Sequence, residues 1–110
     1  MIPPRARIFV ATTPIDFRGS FDQLAGAVRT QLGADPRSGA FFVFFNRRAD
    51  RAKVLFFDES GDCILYKRLD RSTFRGILDL NAEATHVEID AHELGRVLRG
   101  IERTKKVPVH

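Results

Sequence analysis

Hydrophobic and polar positions divide the chain into short apolar runs separated by charged or Gly- and Pro-containing breaks. Arg7-Ile8-Phe9-Val10-Ala11-Thr12 is dense in apolar and β-branched residues and stops at Thr13-Pro14, which predicts a first strand. Phe21, Leu24, Ala25, Val28 and Leu32 then recur at helical spacing. With Ser20 and Gln23 placed as a capping box and Gly33 as a terminator, they predict a helix over Ser20–Leu32. After the loop Asp35-Pro36-Arg37-Ser38-Gly39 comes Ala40-Phe41-Phe42-Val43-Phe44-Phe45, a wholly apolar strand expected to be covered on both faces. Lys53–Phe57 and Cys63–Leu69 follow as strands. The short polar connections between these three make them antiparallel neighbours in a meander.

The second half is less regular. Between Asp70 and Thr85 neither period wins, although Phe74, Ile77, Leu78 and Leu80 are apolar. His86-Val87-Glu88-Ile89 alternates as a short strand, and Asp90 stands at the cap position of a helix carried by Leu94, Val97, Leu98 and Ile101. Arg96, Arg99 and Arg103 lie toward the end of that helix, where cations complement its dipole. Residues 104–110 read as a frayed tail. The predicted fold is α+β: an antiparallel sheet of four to five strands around a central meander. The first helix packs on one face, and the short C-terminal helix lies at an edge or on the other face.

A chain of 110 residues makes a single domain, here spanning residues 1–110. Its 44% hydrophobic and 29% charged residues exclude a disordered tail, a collagen-like chain and a disulfide scaffold. Cys63 is the one cysteine, so it forms no internal bridge and reads as a small packing residue. No apolar run reaches the ~18 residues of a membrane span. The first residues, Met1-Ile2-Pro3-Pro4-Arg5, lack the apolar segment of a secretory signal. A cytoplasmic protein with no membrane partner is expected.

Charge adds a direction. Eighteen Lys and Arg against fourteen Asp and Glu give a net +4, and fourteen of the cations are Arg, whose planar fork suits phosphate. A GC-rich genome would produce the same bias, so the placement of the charges matters more. Asn46-Arg47-Arg48-Ala49-Asp50-Arg51-Ala52-Lys53 puts Arg47, Arg48, Arg51 and Lys53 at the tip of a hairpin between greasy strands. Such a loop can meet several phosphates at once; the plainer reading is a solvated loop that keeps the strands from edge pairing. A second basic stretch brings Lys67, Arg68, Arg71 and Arg75. By position it falls near the opposite end of the sheet or wraps over an edge. Residues 76–95, by contrast, hold five acids and no Lys or Arg. This segregation is the footprint expected of a polyanion binder.

Other chemistry is weakly supported. Asp16, Asp58 and Asp62 would have to converge to hold Mg²⁺ as nucleases do, yet all three fall where turns already favour Asp. Asp16 and Arg18 have the simpler option of pairing with each other. No phosphate-binding Gly motif or nucleophile elbow is present, and His86, His92 and His110 lack metal-ligand spacing. Most of Phe41, Phe42, Phe44, Phe45, Phe56 and Phe57 are expected in the core rather than on a base-stacking surface. No metal, cofactor or catalytic residue is expected.

The order of motifs resembles a known family. Val10-Ala11-Thr12-Thr13-Pro14-Ile15-Asp16-Phe17-Arg18-Gly19-Ser20, Asp35-Pro36-Arg37-Ser38-Gly39 with its apolar strand, Asn46-Arg47-Arg48, Lys53-Val54-Leu55 and Tyr66-Lys67-Arg68-Leu69 are together similar to the TnpB accessory proteins of IS-sixty-six-type bacterial insertion sequences. The likeness runs from about Arg7 to Arg75, with a weaker echo to Ile101. It departs from the family pattern after Phe74 and in having no Trp near Phe57. The pattern positions are Asp16, Arg18, Asp35, Pro36, Gly39, Asn46, Arg47, Arg48, Lys53, Arg68 and Leu69. The resemblance implies a factor for DNA transposition, encoded beside a separate transposase that cuts and joins DNA, and it supplies no catalytic residue. The expected function is therefore non-catalytic assistance to transposition by binding DNA, largely without regard to sequence. Arg47, Arg48, Arg51 and Lys53 are the expected contacts, with Arg18, Lys67, Arg68, Arg71 and Arg75 in support. The alternatives are a module that docks on the cognate transposase or another accessory protein, and a small metal-dependent nuclease.

Overall fold

The computed structural model describes residues 5–70, 73 and 84–99. The apolar residues at 74–80, Ile101, Arg103 and the tail at 104–110 lie outside the described residues, as do Arg71 and Arg75. Among the described residues, five strands and two helices are laid down in the order β1 (Ile8–Ala11), α1 (Phe21–Gln31), β2 (Phe41–Phe45), β3 (Arg51–Phe57), β4 (Asp62–Arg68), β5 (His86–Ile89) and α2 (Ala91–Leu98). The strands form one sheet of order β4-β3-β2-β1-β5.

β2 is the axis of the core. All five of its residues are buried, because the sheet is covered on both faces. Phe41, Val43 and Phe45 point to the face that carries Ile8, Val10, Ala52, Val54 and Ile89, and Leu94 and Val97 of α2 pack there. Phe42 and Phe44 point to the other face, with Ala11, Leu55 and the α1 residues Leu24, Ala25 and Val28. The two-residue period of a strand thus distributes a run of consecutive apolar residues into two cores. Phe56 and Phe57, one strand farther out, are only partly buried.

The α+β fold is the one read from sequence, and the β2–β3–β4 meander is antiparallel. One pairing departs from the expected antiparallel sheet. β1 runs parallel to β2, with Ile8, Phe9 and Val10 opposite Phe41, Phe42 and Val43, and α1 forms the crossover between them. A helix returning the chain across a sheet face delivers it to the same end at which the first strand began, so parallel pairing follows. β5 closes the far edge antiparallel to β1.

The helix boundaries follow local chemistry with one exception. Ser20 is the N-cap of α1, but its side chain makes no capping hydrogen bond, and only its carbonyl accepts, from the Gln23 N–H at 3.0 Å. The expected capping box is therefore not formed. At the other end Gly33 takes a positive φ of 62°, and the Ala34 N–H returns to the Val28 carbonyl. For α2 the Asp90 carboxylate does accept from the Glu93 N–H, at 2.7 Å. In the Asp35–Gly39 loop the Asp35 side chain accepts from the Arg37 N–H, and Gly39 sits at φ 94°, a backbone state costly to any residue with a Cβ. Those pattern residues shape the entry to β2. Cys63 lies half-buried on β4; burial and the neighbouring Asp58 carboxylate push its thiol pKa up, away from reactivity.

Phe44 is fully buried between β2 and α1. Phe44→Ala should cost about 3–5 kcal/mol of stability, read as a lowered urea midpoint. A loss below about 1 kcal/mol would mean that this face is not tightly packed.

Candidate functional site

Because β1 and β2 are parallel, the segments that leave them emerge at one end of the sheet. The Ile15 N–H donates to the Phe45 carbonyl at 2.9 Å, which moors the β1–α1 connection beside the β2–β3 hairpin. Between them lies an open cleft of about 650 Å³ lined by Ile15, Asp16, Phe17, Arg18, Asn46, Arg47, Arg48, Arg51, Lys53 and Tyr66. Five cations face one carboxylate there.

Asn46 builds the hairpin side. It is 8% exposed, and its side-chain oxygen accepts from the Asp50 N–H at 3.1 Å and the Arg51 N–H at 2.9 Å. Its amide nitrogen donates to the Asp50 carboxylate at 2.7 Å. The loop closes through Ala49, which takes a positive φ of 59°. This cage holds the Asp50 carboxyl below its ordinary pKa, chiefly through the Asn46 bond and then through Arg51 and Arg48. With the turn fixed from inside, the Arg47 and Arg48 side chains are left exposed at its tip. Asn46 therefore acts as the internal brace of the loop.

Asp16 and Arg18 form the other wall. The Arg18 guanidinium grips both oxygens of Asp16, with contacts of 2.7–3.1 Å, and the Arg18 N–H donates to the same carboxylate at 2.9 Å. These bonds hold the Asp16 pKa at about 2, with Arg47 adding a smaller electrostatic pull. Arg18 thus lines the cleft with its charge largely matched, as the simpler reading of this pair expected.

Arg51 and Lys53 lie within β3 rather than at the hairpin tip, and their side chains share the α1 face of the sheet. The Lys53 ammonium sits over the Phe17 ring at 4.9 Å and 5.7 Å from the centre of the Tyr66 ring, and donates to the Phe17 carbonyl at 3.3 Å. The Arg51 Nε is buried without a hydrogen-bond partner among the described residues. Sequence reasoning overlooked Phe17 and Tyr66. Their signal is the two-residue step that puts Lys53 on the face away from Ala52 and Val54, next to whatever ring the neighbouring strand supplies.

The second basic stretch does not fall at the opposite end of the sheet. Register pairs Arg51 with Arg68 and Ala52 with Lys67, and the Leu69 N–H donates to the Asp50 carbonyl at 2.8 Å, so β4 ends beside the hairpin. Two turns reverse the chain twice between Phe45 and Arg68, which returns β4 to the direction of β2. Arg68 therefore stands on the cleft side next to Arg51, while Lys67 turns to the opposite face. The three acids considered for a metal do not meet. Asp16 holds Arg18, Asp62 holds Arg37 at 3.0 Å, and Asp58 binds its own turn through Ser60 and Gly61. Asp58 and Asp62 lie at the far end of β3 from Asp16, and among the described residues no group of His, Cys, Asp and Glu is placed to hold a metal ion.

Residues 6–108, nearly the whole sequence, match the family model described as IS66 Orf2 like protein. The chain belongs to that family. It is thus an accessory protein of an insertion sequence. Two proteins of Sinorhizobium fredii (strain NBRC 101917 / NGR234), both bearing the description uncharacterized protein, are similar to it. The first, y4hO, is 35% identical over 96 residues, covering 87% of this chain and 81% of its own. The second, y4jC, is 41% identical over 68 residues, covering 62% and 58%. No solved structure matches. No described helix is long and apolar enough to cross a membrane.

Two outcomes check this geometry. Asn46→Ala strands the Asp50 and Arg51 N–H groups and should cost about 1–3 kcal/mol in chemical denaturation; an unchanged midpoint would remove Asn46 as the brace. Arg18→Ala should release the Asp16 pKa from about 2 toward 3.8, followed by carboxyl NMR titration. Because the folded value is the lower one, the contribution of this pair to stability is present above the unfolded pKa and fades as pH falls toward 2. An unchanged Asp16 titration would refute the pairing.

Proposed function

We propose that this accessory protein serves transposition without catalysis, by gripping the phosphate backbone of DNA in the Arg-lined cleft. What supports the reading most is the juxtaposition of Arg51 and Arg68. Like charges directly opposite on one face of a sheet destabilise it, and Arg51 also lines the cleft with Arg47, Arg48 and Lys53, while Asp16 is committed to Arg18 and Asp50 to Asn46. A polyanion relieves that repulsion. Each guanidinium offers several donors in a plane that match the oxygens of a phosphate. The apolar walls Phe17 and Tyr66 lower the local dielectric around Lys53 and strengthen its pull on an anion.

Such an arrangement addresses phosphate and sugar rather than base edges, so binding is salt-sensitive and weakly dependent on sequence. The protein would act in the cytoplasm, where the transposase meets DNA. Arg47, Arg48 and Arg51 grip the backbone first together with Lys53, and Arg68 extends the grip. Arg18 mainly holds the wall in place.

The triple variant Arg47→Ala/Arg48→Ala/Arg51→Ala should bind duplex DNA at least about tenfold more weakly at low salt. Its slope of log affinity against log salt should be shallower by about 1 for each phosphate that is no longer neutralised. Unchanged affinity and slope, measured by fluorescence anisotropy across a salt series, would discard the cleft as the place where DNA binds.

A further inference from the structure

Among the described residues β4 is an edge strand, and none of them guards its centre. Its middle residues, Ile64, Leu65 and Tyr66, are 39%, 47% and 53% exposed. Edge strands of monomers are usually blunted by a central charge, a proline or a bulge; β4 has its charges only at its ends, and all seven of its residues pair in unbroken register with β3.

The hydrogen bonding of β3 fixes which groups remain for a new partner. The Leu69 N–H to Asp50 carbonyl and Asp58 N–H to Gly61 carbonyl bonds bracket the ladder and set its alternation. Cys63, Leu65 and Lys67 therefore turn their backbone groups toward β3, and Asp62, Ile64, Tyr66 and Arg68 turn theirs outward. Laid antiparallel on a copy of itself about Leu65, the strand is self-complementary. Asp62 comes opposite Arg68, Ile64 opposite Tyr66, and Leu65 opposite itself. Every outward-facing residue then meets another outward-facing residue. Shifting the register by two residues in one direction sets Asp62 against Tyr66. Shifting it in the other sets Asp62 against Asp70. Only the central register joins opposite charges across both ends.

We infer that β4 is a homodimer interface, in which two copies pair β4 to β4 antiparallel about a two-fold axis at Leu65 and their sheets become one. The occupant is a second copy because the charge pattern and the hydrogen-bonding parity both fit the strand's own reverse. A two-fold interface requires that kind of self-match. An axis perpendicular to the sheet keeps the α1 faces on the same side, so the two basic clefts open in one direction, with the Arg68 positions about 20 Å apart along the strand. Asp62, already bonded to Arg37, gains the Arg68 of the second copy on its other side, and the grip on phosphate in the dimer then rests on Arg47, Arg48, Arg51 and Lys53.

The experiment is sedimentation velocity on the full-length protein over a concentration series. The wild type should associate to a dimer, and Leu65→Lys, which sets two ammonium groups face to face across the axis, should weaken dimerisation by at least about tenfold. Asp62→Arg and Arg68→Asp should each be monomeric alone and form a heterodimer when mixed, because only the mixture matches opposite charges at both ends. Heterodimer formation also shows that both variants are folded. A wild type that stays monomeric throughout, a Leu65→Lys variant that dimerises as well as wild type, or a mixture that gains nothing over its components would each overturn the inference.

Discussion

The parallel pairing of β1 with β2 is the constraint on which the rest of this molecule depends. Two adjacent strands that point the same way deliver their following segments to the same edge of the sheet. Here those segments are the Asp16–Arg18 wall and the Asn46–Asp50 hairpin. Had α1 led into an antiparallel neighbour, the same residues would lie a strand length apart. The cleft is a consequence of strand direction before it is a consequence of charge.

Buried β2 makes that pairing possible. A strand of Phe41, Phe42, Val43, Phe44 and Phe45 is stable only with apolar cover on both sides. α1 and α2 supply it from opposite faces, each with a short apolar stripe. Once the centre of the sheet is committed to packing, polar chemistry is confined to its ends and to the outer strands. This is where the Arg side chains gather, braced by Asn46 from beneath and by Asp16 from the side. Holding like charges together costs stability, and core burial offsets that cost together with two carboxylates: Asp16, which pairs with Arg18 and attracts Arg47, and Asp50, which attracts Arg51 and Arg48.

Family membership and geometry meet at the same positions. Asp16, Arg18, Asn46, Arg47, Arg48 and Lys53 belong to the motif pattern that resembles the insertion-sequence family, and all six line one cleft. Asp35 and Gly39 share that pattern for a different reason, since they shape the turn into β2 at the far end of the sheet. A single motif set thus mixes residues of the site with residues of the scaffold. Only their places in the sheet separate the two.

Much of the architecture was legible along the chain, because apolar periodicity reports which faces must leave water. The extents of β2 and β5, the body of α1, the Asp90 cap and the antiparallel meander all follow from spacing and turn chemistry within a few residues. The capping role of Ser20 did not follow, since a cap needs a side-chain rotamer as well as a residue type. Neither did the position of Arg68, because the end of a strand on which a residue falls depends on how many times the chain has reversed before it. The meeting of Asp16 with the Arg47 hairpin lies beyond sequence for the same reason. The residues are far apart along the chain, and what joins them is the direction of a crossover through α1. The sequence by itself determined which surfaces are buried and which charges exist. Tertiary structure decided which charges are neighbours, because direction and register are properties of paired strands and not of either strand alone.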